Sequence, residues 1–283
     1  MIRERISDDV YVFRSRRYAQ VTSGAIMTKE GVILIDTLFY PEETAAIRDF
    51  LEERLGQNVR YIVNTHYHAD HTLGTCQFPH AQVISHRLCR QLLDSVGREG
   101  LAHMQTTQSE FADVDIILPD MVFDEGHLNV HLGGKTVRLV PLPGHSQDLI
   151  GAFVLEERIL FASDTAMPVP TMFDGDYDAL VASMHHILKL KPDSIVRGHG
   201  EVILRGEVEA LIEDDLSYLA LIWEKVSEMV SNGKGEADLT GITIESCGKS
   251  RIPLNGFVAD LHQANLQRLY HDMTGNGQIG GDH

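Results

Sequence analysis

The stretch HYHADH, residues 66–71, follows directly on the apolar run VRYIVN at 59–64. It sets three histidines and an aspartate at the end of a buried strand, a rigid base from which side chains face a cleft. Imidazole and carboxylate groups are ligands for divalent metals such as Zn, Fe and Mn, and the sequence does not choose among them. These residues cannot close a site alone. A catalytic zinc needs about three protein ligands and an open position, and a two-metal site needs more. The fold must therefore bring further ligands from distant parts of the chain.

Three downstream segments offer them. PLPGHSQ carries His145, FASDT carries Asp164 and VRGHGE carries His199. Each lies where a strand-like run gives way to a loop. Glycines beside His145 and on both sides of His199 let the backbone approach a metal closely.

Around these points the chain alternates strands and helices. Residues 10–14 and 21–28 read as a hairpin with the polar SRRY between them. GVILIDT at 31–37 is a continuous apolar run, as expected of a strand buried on both faces. Pro41 opens a helix with acidic residues in its first turn and Gly56 past its end. Its apolar side would carry Ile47, Phe50, Leu51 and Leu55. QVIS at 82–85 is a further strand, and 86–112 reads as two helices broken near Gly97 and Gly100. HLNVHLGG, TVRLVPLPGH, LIGAFVLEE and RILFASDT are strand-like runs bounded by turns. A helix is expected over 176–191, with Leu180, Met184, Ile187 and Leu188 on its buried face and Pro192 at its end. The strand SIVRGHG follows, then helices near 206–231 and 256–273. GVILIDT and RILFASDT echo one another, each an apolar strand ending in Asp-Thr before a loop and a helix. Two such halves predict an α/β fold, a four-layer αββα sandwich of two mixed β-sheets flanked by helices. The expected organisation is one domain over 1–245, a C-terminal helical segment over 246–275 packed on it, and a disordered tail at 276–283.

Composition narrows the partners. The formal net charge of −17 opposes binding to phosphate backbones. No apolar run approaches the ~20 residues that span a bilayer, and the N-terminal residues show no signal-peptide pattern. Cys76, Cys89 and Cys247 are far apart and odd in number, which points to free thiols in a reducing, cytoplasmic setting. The expected partner is a small-molecule substrate, with no nucleic acid and no membrane; a homo-oligomer is left open.

The ordered motifs ILIDT, HYHADH, PGHS, ASDT and GHG resemble those of the metallo-β-lactamase superfamily, over nearly the whole chain. The resemblance implies two divalent metal ions, zinc first and iron or manganese as alternatives. One would be held by His66, His68 and His145, the other by Asp70, His71 and His199, with Asp164 bridging them and Asp36 a structural residue beneath. It implies hydrolysis by a metal-bridging hydroxide of an ester, lactone or thioester bond, with Asp70 as the catalytic residue that orients the hydroxide and passes its proton on. Asp164 resembles the glyoxalase II and lactonase branches, since zinc β-lactamases usually carry Cys or Ser there. Lactonases place Tyr three residues later, where this chain has Met167. Lys249 and Arg251 are the candidates for glutathione-binding cations.

Other readings remain. A mononuclear iron site on His66, His145 and Asp164 would resemble the persulfide dioxygenases, a redox function. A non-hydrolytic sensor would be expected to have lost ligands, and a nuclease would need a basic exosite. The expected substrate-binding residues are Tyr18, Met167, Met172, Phe173 and Tyr177, with Leu101, Met104 and Phe111 nearby, under a mobile lid. His80, His86, His103, His127 and His131 lack strand-end context and read as solvated or locally bonded, and His185 and His186, on the 176–191 helix, read as partly buried or surface residues. Cys76 reads as a buried small hydrophobe, and the acidic run at 213–215 as a solvated face.

Overall fold

GVILI at 31–35 shows how the layers arise. All five residues are buried, and successive side chains of a strand point to opposite faces. Ile33 and Ile35 enter one apolar cluster, while Val32 and Leu34 enter another. ILFAS at 159–163 divides in the same way. Ile159 and Phe161 join the cluster of Ile33 and Ile35, while Leu160 and Ala162 join a third. The two strands therefore belong to sheets that face one another across a shared core.

The computed structural model describes residues 1–275. Its first sheet has seven strands in sequence order: β1 (Ile2–Arg5), β2 (Val10–Arg14), β3 (Thr22–Thr28), β4 (Gly31–Ile35), β5 (Val59–Val63), β6 (Gln82–His86) and β7 (Met121–Phe123). The second has five: β8 (Leu128–Leu132), β9 (Lys135–Pro141), β10 (Ile150–Val154), β11 (Ile159–Ser163) and β12 (Ser194–Arg197), with β12 at one edge beside β11. Both sheets are mixed. Strands β4 to β7 run parallel, as do β11 and β12, and the other neighbours are antiparallel.

Helices cover the outer faces. On the first sheet lie α1 (Pro41–Arg48), the short α2 (Ala69–Thr72), α3 (Arg87–Leu92) and α4 (Arg98–Thr107). Ile47, Phe50 and Leu51 pack there against Val32 and Leu34. On the second lie α5 (Tyr177–Leu190), α6 (Val208–Ser231) and α7 (Val258–Thr274). Leu180, Ile212, Leu219, Leu261 and Leu266 share one core with Leu160 and Ala162. The αββα arrangement read from the two echoing strands is the architecture observed. Among the described residues no helix is long and apolar enough to cross a membrane.

Several local expectations change. Residues 49–54 continue α1 as a π-helical turn, whose wider winding takes Leu55 off the apolar side and leaves it 38% exposed. A second π-turn at Leu93–Gly97 joins α3 to α4, so that no break occurs at Gly100. The edge strands β1 and β7 were not expected; IRER is charged and mostly exposed, which hides it from a hydrophobic pattern. The tail expected at 276–283 lies outside the described residues.

The run at 213–215 is not wholly solvated. Glu213 and Asp214 are exposed, but Asp215 is fully buried, and Lys249 Nζ lies 2.5 Å from carboxylate oxygens of both Asp214 and Asp215. Lys249 thus clamps the segment after α6 to that helix, and Arg251 pairs with Glu245; both cations expected for glutathione are engaged in ion pairs. Burial raises the Asp215 carboxyl to about 6, against the opposing pull of Lys249. Above that pH the ionised carboxylate depends on its cation, while below it the group takes up a proton. Lys249→Met should therefore destabilise the fold by about 3–5 kcal/mol at pH 8. The loss should shrink at pH 5, because the folded state then binds the proton that replaces the lysine. Chemical denaturation at the two pH values measures this; an equal loss at both would contradict the assignment.

Candidate metal centre

Strand ends bring the ligands together. β5 runs into His66, and the following turn and α2 carry His68, Asp70 and His71. His145 lies in the turn between β9 and β10. Asp164 stands one residue past β11. His199 stands two past β12, whose parallel pairing with β11 places the two side by side. Ligand atoms of His66, His68, His145 and Asp164 all lie within 4.8 Å of one another, as do those of Asp70, His71 and His199. The structure thus assembles the seven residues into two adjoining groups.

Within the first group, His68 Nδ1 lies 2.9 Å from His66 Nε2 and 3.1 Å from His145 Nε2. Within the second, His199 Nε2 is 3.3 Å from Asp70 Oδ2 and His71 Nε2 is 3.7 Å from the same oxygen. Asp164 reaches both. Its Oδ2 is 3.3 Å from His145 Nε2 and 3.4 Å from His199 Nε2, and its Oδ1 is 3.2 Å from His71 Nε2.

The outer nitrogen of each histidine decides which inner nitrogen is free. A carboxylate only accepts, so the Thr65 hydroxyl, its Oγ1 2.8 Å from Asp36 Oδ2, commits its proton to Asp36. His66 Nδ1, 3.1 Å from Thr65 Oγ1, must then donate, and its Nε2 is left bare. His71 Nδ1–H donates to Asp36 Oδ2 at 2.9 Å. His145 Nδ1–H donates to the Thr171 carbonyl and His199 Nδ1–H to the Ala19 carbonyl, both at 2.9 Å. His68 is reversed, with Nε2 3.5 Å from Asp174 Oδ2 and Nδ1 turned inward. When neutral, all five rings present a lone pair to the centre, held by outer hydrogen bonds of the kind that orient metal-ligating histidines.

The five rings differ in charge, and the division does not follow the two groups: burial opposes charge on His68, but Asp174 and then Asp70 and Asp164 raise it above the ordinary imidazole range. Burial, with His71 and His68 nearby, holds His66 well below the ordinary imidazole range, and burial takes His145 down to about 4. These two rings are neutral. Burial also opposes charge on His71 and His199, but Asp164 and Asp70 outweigh it, raising His71 well above its usual value and His199 to about 10. Asp164 is held well below the carboxylate range, where His199, His71 and His145 overcome its burial. The carboxylates thus favour positive charge among these rings. Lone pairs converging at 2.9 and 3.1 Å repel unless a cation lies among them, and the buried His71 Nε2 and Asp164 Oδ1 have no hydrogen-bond partner among the described residues. The donor set fits divalent metal.

A model of the metallo-beta-lactamase superfamily matches residues 16–199, a span that holds all seven residues. The chain belongs to this superfamily. A beta-lactamase-like protein 2 homolog of Caenorhabditis elegans is 24% identical over 215 residues, covering 75% of this chain and 65% of that protein. A hydroxyacylglutathione hydrolase of Rhodopseudomonas palustris (strain BisB5) is 25% identical over 191 residues, covering 66% and 67%. The chain therefore spans about two thirds of the length of these relatives. Among solved structures, a metallo-beta-lactamase family protein of Thermus thermophilus superposes with a TM-score of 0.72 at 16% identity, over 98% of this chain and 96% of that one.

The residues expected to meet substrate separate. Phe173 is 64% exposed, its ring centroid 5.1 Å from His68 and 6.1 Å from His145. Tyr18 is half-buried and stacks on Phe39 at 4.5 Å; burial and then the charge of Asp70 raise its phenol. Met167 and Met172 are instead only 2% exposed and sit in the core under α5 and α6, because the loop after Asp164 turns its apolar side chains inward. Tyr177, half-buried in the first turn of α5, leans on that same core. Leu101 and Phe111 are core residues, with Met104 packed against them. Cys76 is half-buried against that cluster and belongs to neither ligand group. His185 and His186 are exposed.

Residues beside the ligands escaped the motif reading. Thr65, Asp148, Asp174 and Thr171 all support the site, and Asp148 Oδ2 accepts the Tyr67 backbone N–H at 2.8 Å. Thr65 and Asp148 lie one and three positions from a ligand in sequence, which is their one signal; Thr171 and Asp174 lie seven and ten past Asp164 and carry none. Gly198 has a sharper role than backbone freedom: a Cβ there would sit 1.7 Å from Asp164 Oδ1 and 2.8 Å from the Asp164 backbone nitrogen. Gly198→Ala should displace the shared carboxylate and lower metal content by at least half, measured by elemental analysis, with the protein still folded by circular dichroism. Unchanged metal content would show that Asp164 has room to move.

Proposed function

We propose that the protein is a dinuclear metal-dependent hydrolase acting on an ester, lactone or thioester bond. The observation that carries this is the shared carboxylate: Asp164 lies within 3.4 Å of ligand nitrogens in both groups. His66, His68 and His145 would hold one ion, and Asp70, His71 and His199 the other. When bound, such a pair supplies a water activated at neutral pH and a positive field for a carbonyl oxygen. Membership of a superfamily of metal-dependent hydrolases supports the reading, as does similarity to a protein named hydroxyacylglutathione hydrolase.

The chain's own residues provide orientation. Asp70 is less enclosed than Asp164 and lies at the edge of the group beside His71 and His199, placed to accept a proton from the attacking water and pass it outward. Phe173 and Tyr18 offer aromatic surface near the centre, suited to an apolar acyl or ring-bearing substrate. The second set, Asp70, His71 and His199, favours two ions over the single iron on His66, His145 and Asp164 of the redox reading.

Two measurements test this. Purified protein should hold two divalent ions per chain and hydrolyse members of a panel of lactones and thioesters. His66→Ala and Asp164→Ala should each cut that activity by about 100-fold or more and lower metal content. One iron per chain, with oxygen consumed on a persulfide substrate, would overturn the proposal. Separately, Phe173→Ala should raise KM for apolar substrates roughly tenfold, the loss of part of one aromatic contact, without changing metal content. Unaltered KM across all apolar substrates would remove Phe173 from the binding surface.

A further inference from the structure

The C-terminal helix reaches the centre through a buried chain of hydrogen bonds. His262 Nε2–H donates to the Ile242 carbonyl at 2.9 Å, so His262 Nδ1 accepts from the Tyr218 hydroxyl at 2.9 Å. The Tyr218 oxygen in turn accepts from Asn265 Nδ2 at 3.2 Å. The other Nδ2 hydrogen goes to the Pro170 carbonyl at 2.7 Å, and Asn265 Oδ1 accepts the Met172 backbone N–H at 3.0 Å. Pro170 and Met172 flank Thr171, whose carbonyl receives His145 Nδ1–H. Tyr218, His262, Asn265 and Thr171 are each 1% exposed, and the bonds of Asn265 and the Tyr218–His262 bond are buried, while the Ile242 end of the chain is half-buried.

The direction of every bond is determined. The Ile242 carbonyl sets the tautomer of His262, His262 takes the Tyr218 proton, and Tyr218 and Pro170 together fix which end of the Asn265 amide carries nitrogen. The amide then grips both sides of Thr171 and aims one carbonyl at His145. Arg268, one helical turn further along α7, adds a bond from Nη2 to the Gly175 carbonyl at 2.7 Å. Tyr218, His262, Asn265 and Arg268 all lie beyond the matched residues 16–199.

We infer that Asn265, oriented by Tyr218 and His262, is a positioning residue for the metal ligand His145, acting through the Thr171 carbonyl. The inference rests on the reading of His145 as a metal ligand. A backbone carbonyl held from both sides keeps the His145 ring in one orientation, with Nε2 toward His68 Nδ1 and Asp164. A loosened carbonyl would let that ring rotate and weaken the ion it helps to hold.

The test uses the full chain and measures metal, not turnover. Zinc affinity is read by competition with a chromophoric chelator, and ligand geometry by the visible spectrum of the cobalt-loaded protein. Asn265→Leu should weaken one bound zinc by about 10-fold or more and alter the cobalt spectrum. Tyr218→Phe, which keeps the Asn265 bonds to Pro170 and Met172 but removes the oxygen that orients the amide, should shift both in the same direction by less, and it carries the test if Asn265→Leu does not fold. Leu269→Ala is the control: Leu269 is buried on the same helix outside the chain of bonds, so stability should fall while zinc affinity and spectrum stay as in the wild type. Wild-type affinity and spectrum in either polar variant would overturn the inference, as would an equal loss in Leu269→Ala. A wild-type protein that binds no zinc, cobalt or iron would instead overturn the metal-site reading, and the inference with it.

Discussion

The Asp36 carboxylate is the point on which the centre rests. It is 3% exposed and accepts three bonds: Thr65 N at 2.8 Å, Thr65 Oγ1 at 2.8 Å and His71 Nδ1 at 2.9 Å. A buried charge is costly unless such donors surround it, and here they come from the end of the neighbouring parallel strand and from the short helix after it. Burial pushes the carboxyl upward while His71 and Thr65 oppose the shift. Through Thr65 it fixes His66, and directly it fixes His71, so one carboxylate sets a ligand in each group. Asp36 itself stands at φ +54°, a left-handed conformation that turns its side chain beneath the strand ends.

The second half of the chain answers with a related device. Ser163, also left-handed at φ +48°, places its hydroxyl 2.8 Å from Thr65 Oγ1. Thr65 has already given its proton to Asp36, so Ser163 donates. The Asp-Thr echo in the sequence therefore marks two strand ends that meet at one threonine, but the aspartates differ in task. Asp36 faces inward and holds the ligands in place, while Asp164 faces the groups themselves. Two sheets joined at this threonine cannot slide past one another without breaking the centre.

Much of this was legible because it depends on side chains near one another in sequence or at recognisable strand ends. Strands buried on both faces read as continuous apolar runs, and a histidine after such a run is conspicuous. What stayed hidden depends on groups without a sequence signature. The carbonyls of Ala19 and Thr171 orient His199 and His145, and any residue supplies a carbonyl. Asp215 resembles its exposed neighbours until Lys249, far along the chain, is seen to cover it. The π-turn at 49–54 changes phase without a proline or glycine within it, and Gly97, which closes the π-turn at 93–97, reads as a break although the helix continues through it. Met167 and Met172 lie near the site in sequence, yet the loop turns them into the core.

The loop from 168 to 176 joins two demands that are usually separable. Its backbone supplies the carbonyl for His145, while Phe173 and Asp174 project from the same few residues toward the rings of His68 and His145. The loop packs closely on the His145 turn: Asp174 N–H and Asp176 N–H donate to the His145 and Gly144 carbonyls, and a Cβ on Gly175 would lie 2.1 Å from the Gly144 carbonyl oxygen. The side chain at 173 points outward and is free to vary with little consequence for the backbone beneath it. The length of the loop is not free, because one added or lost residue would move the Thr171 carbonyl away from His145. A change of substrate preference in this scaffold is therefore easier by exchange of side chains on a fixed loop than by remodelling the loop itself.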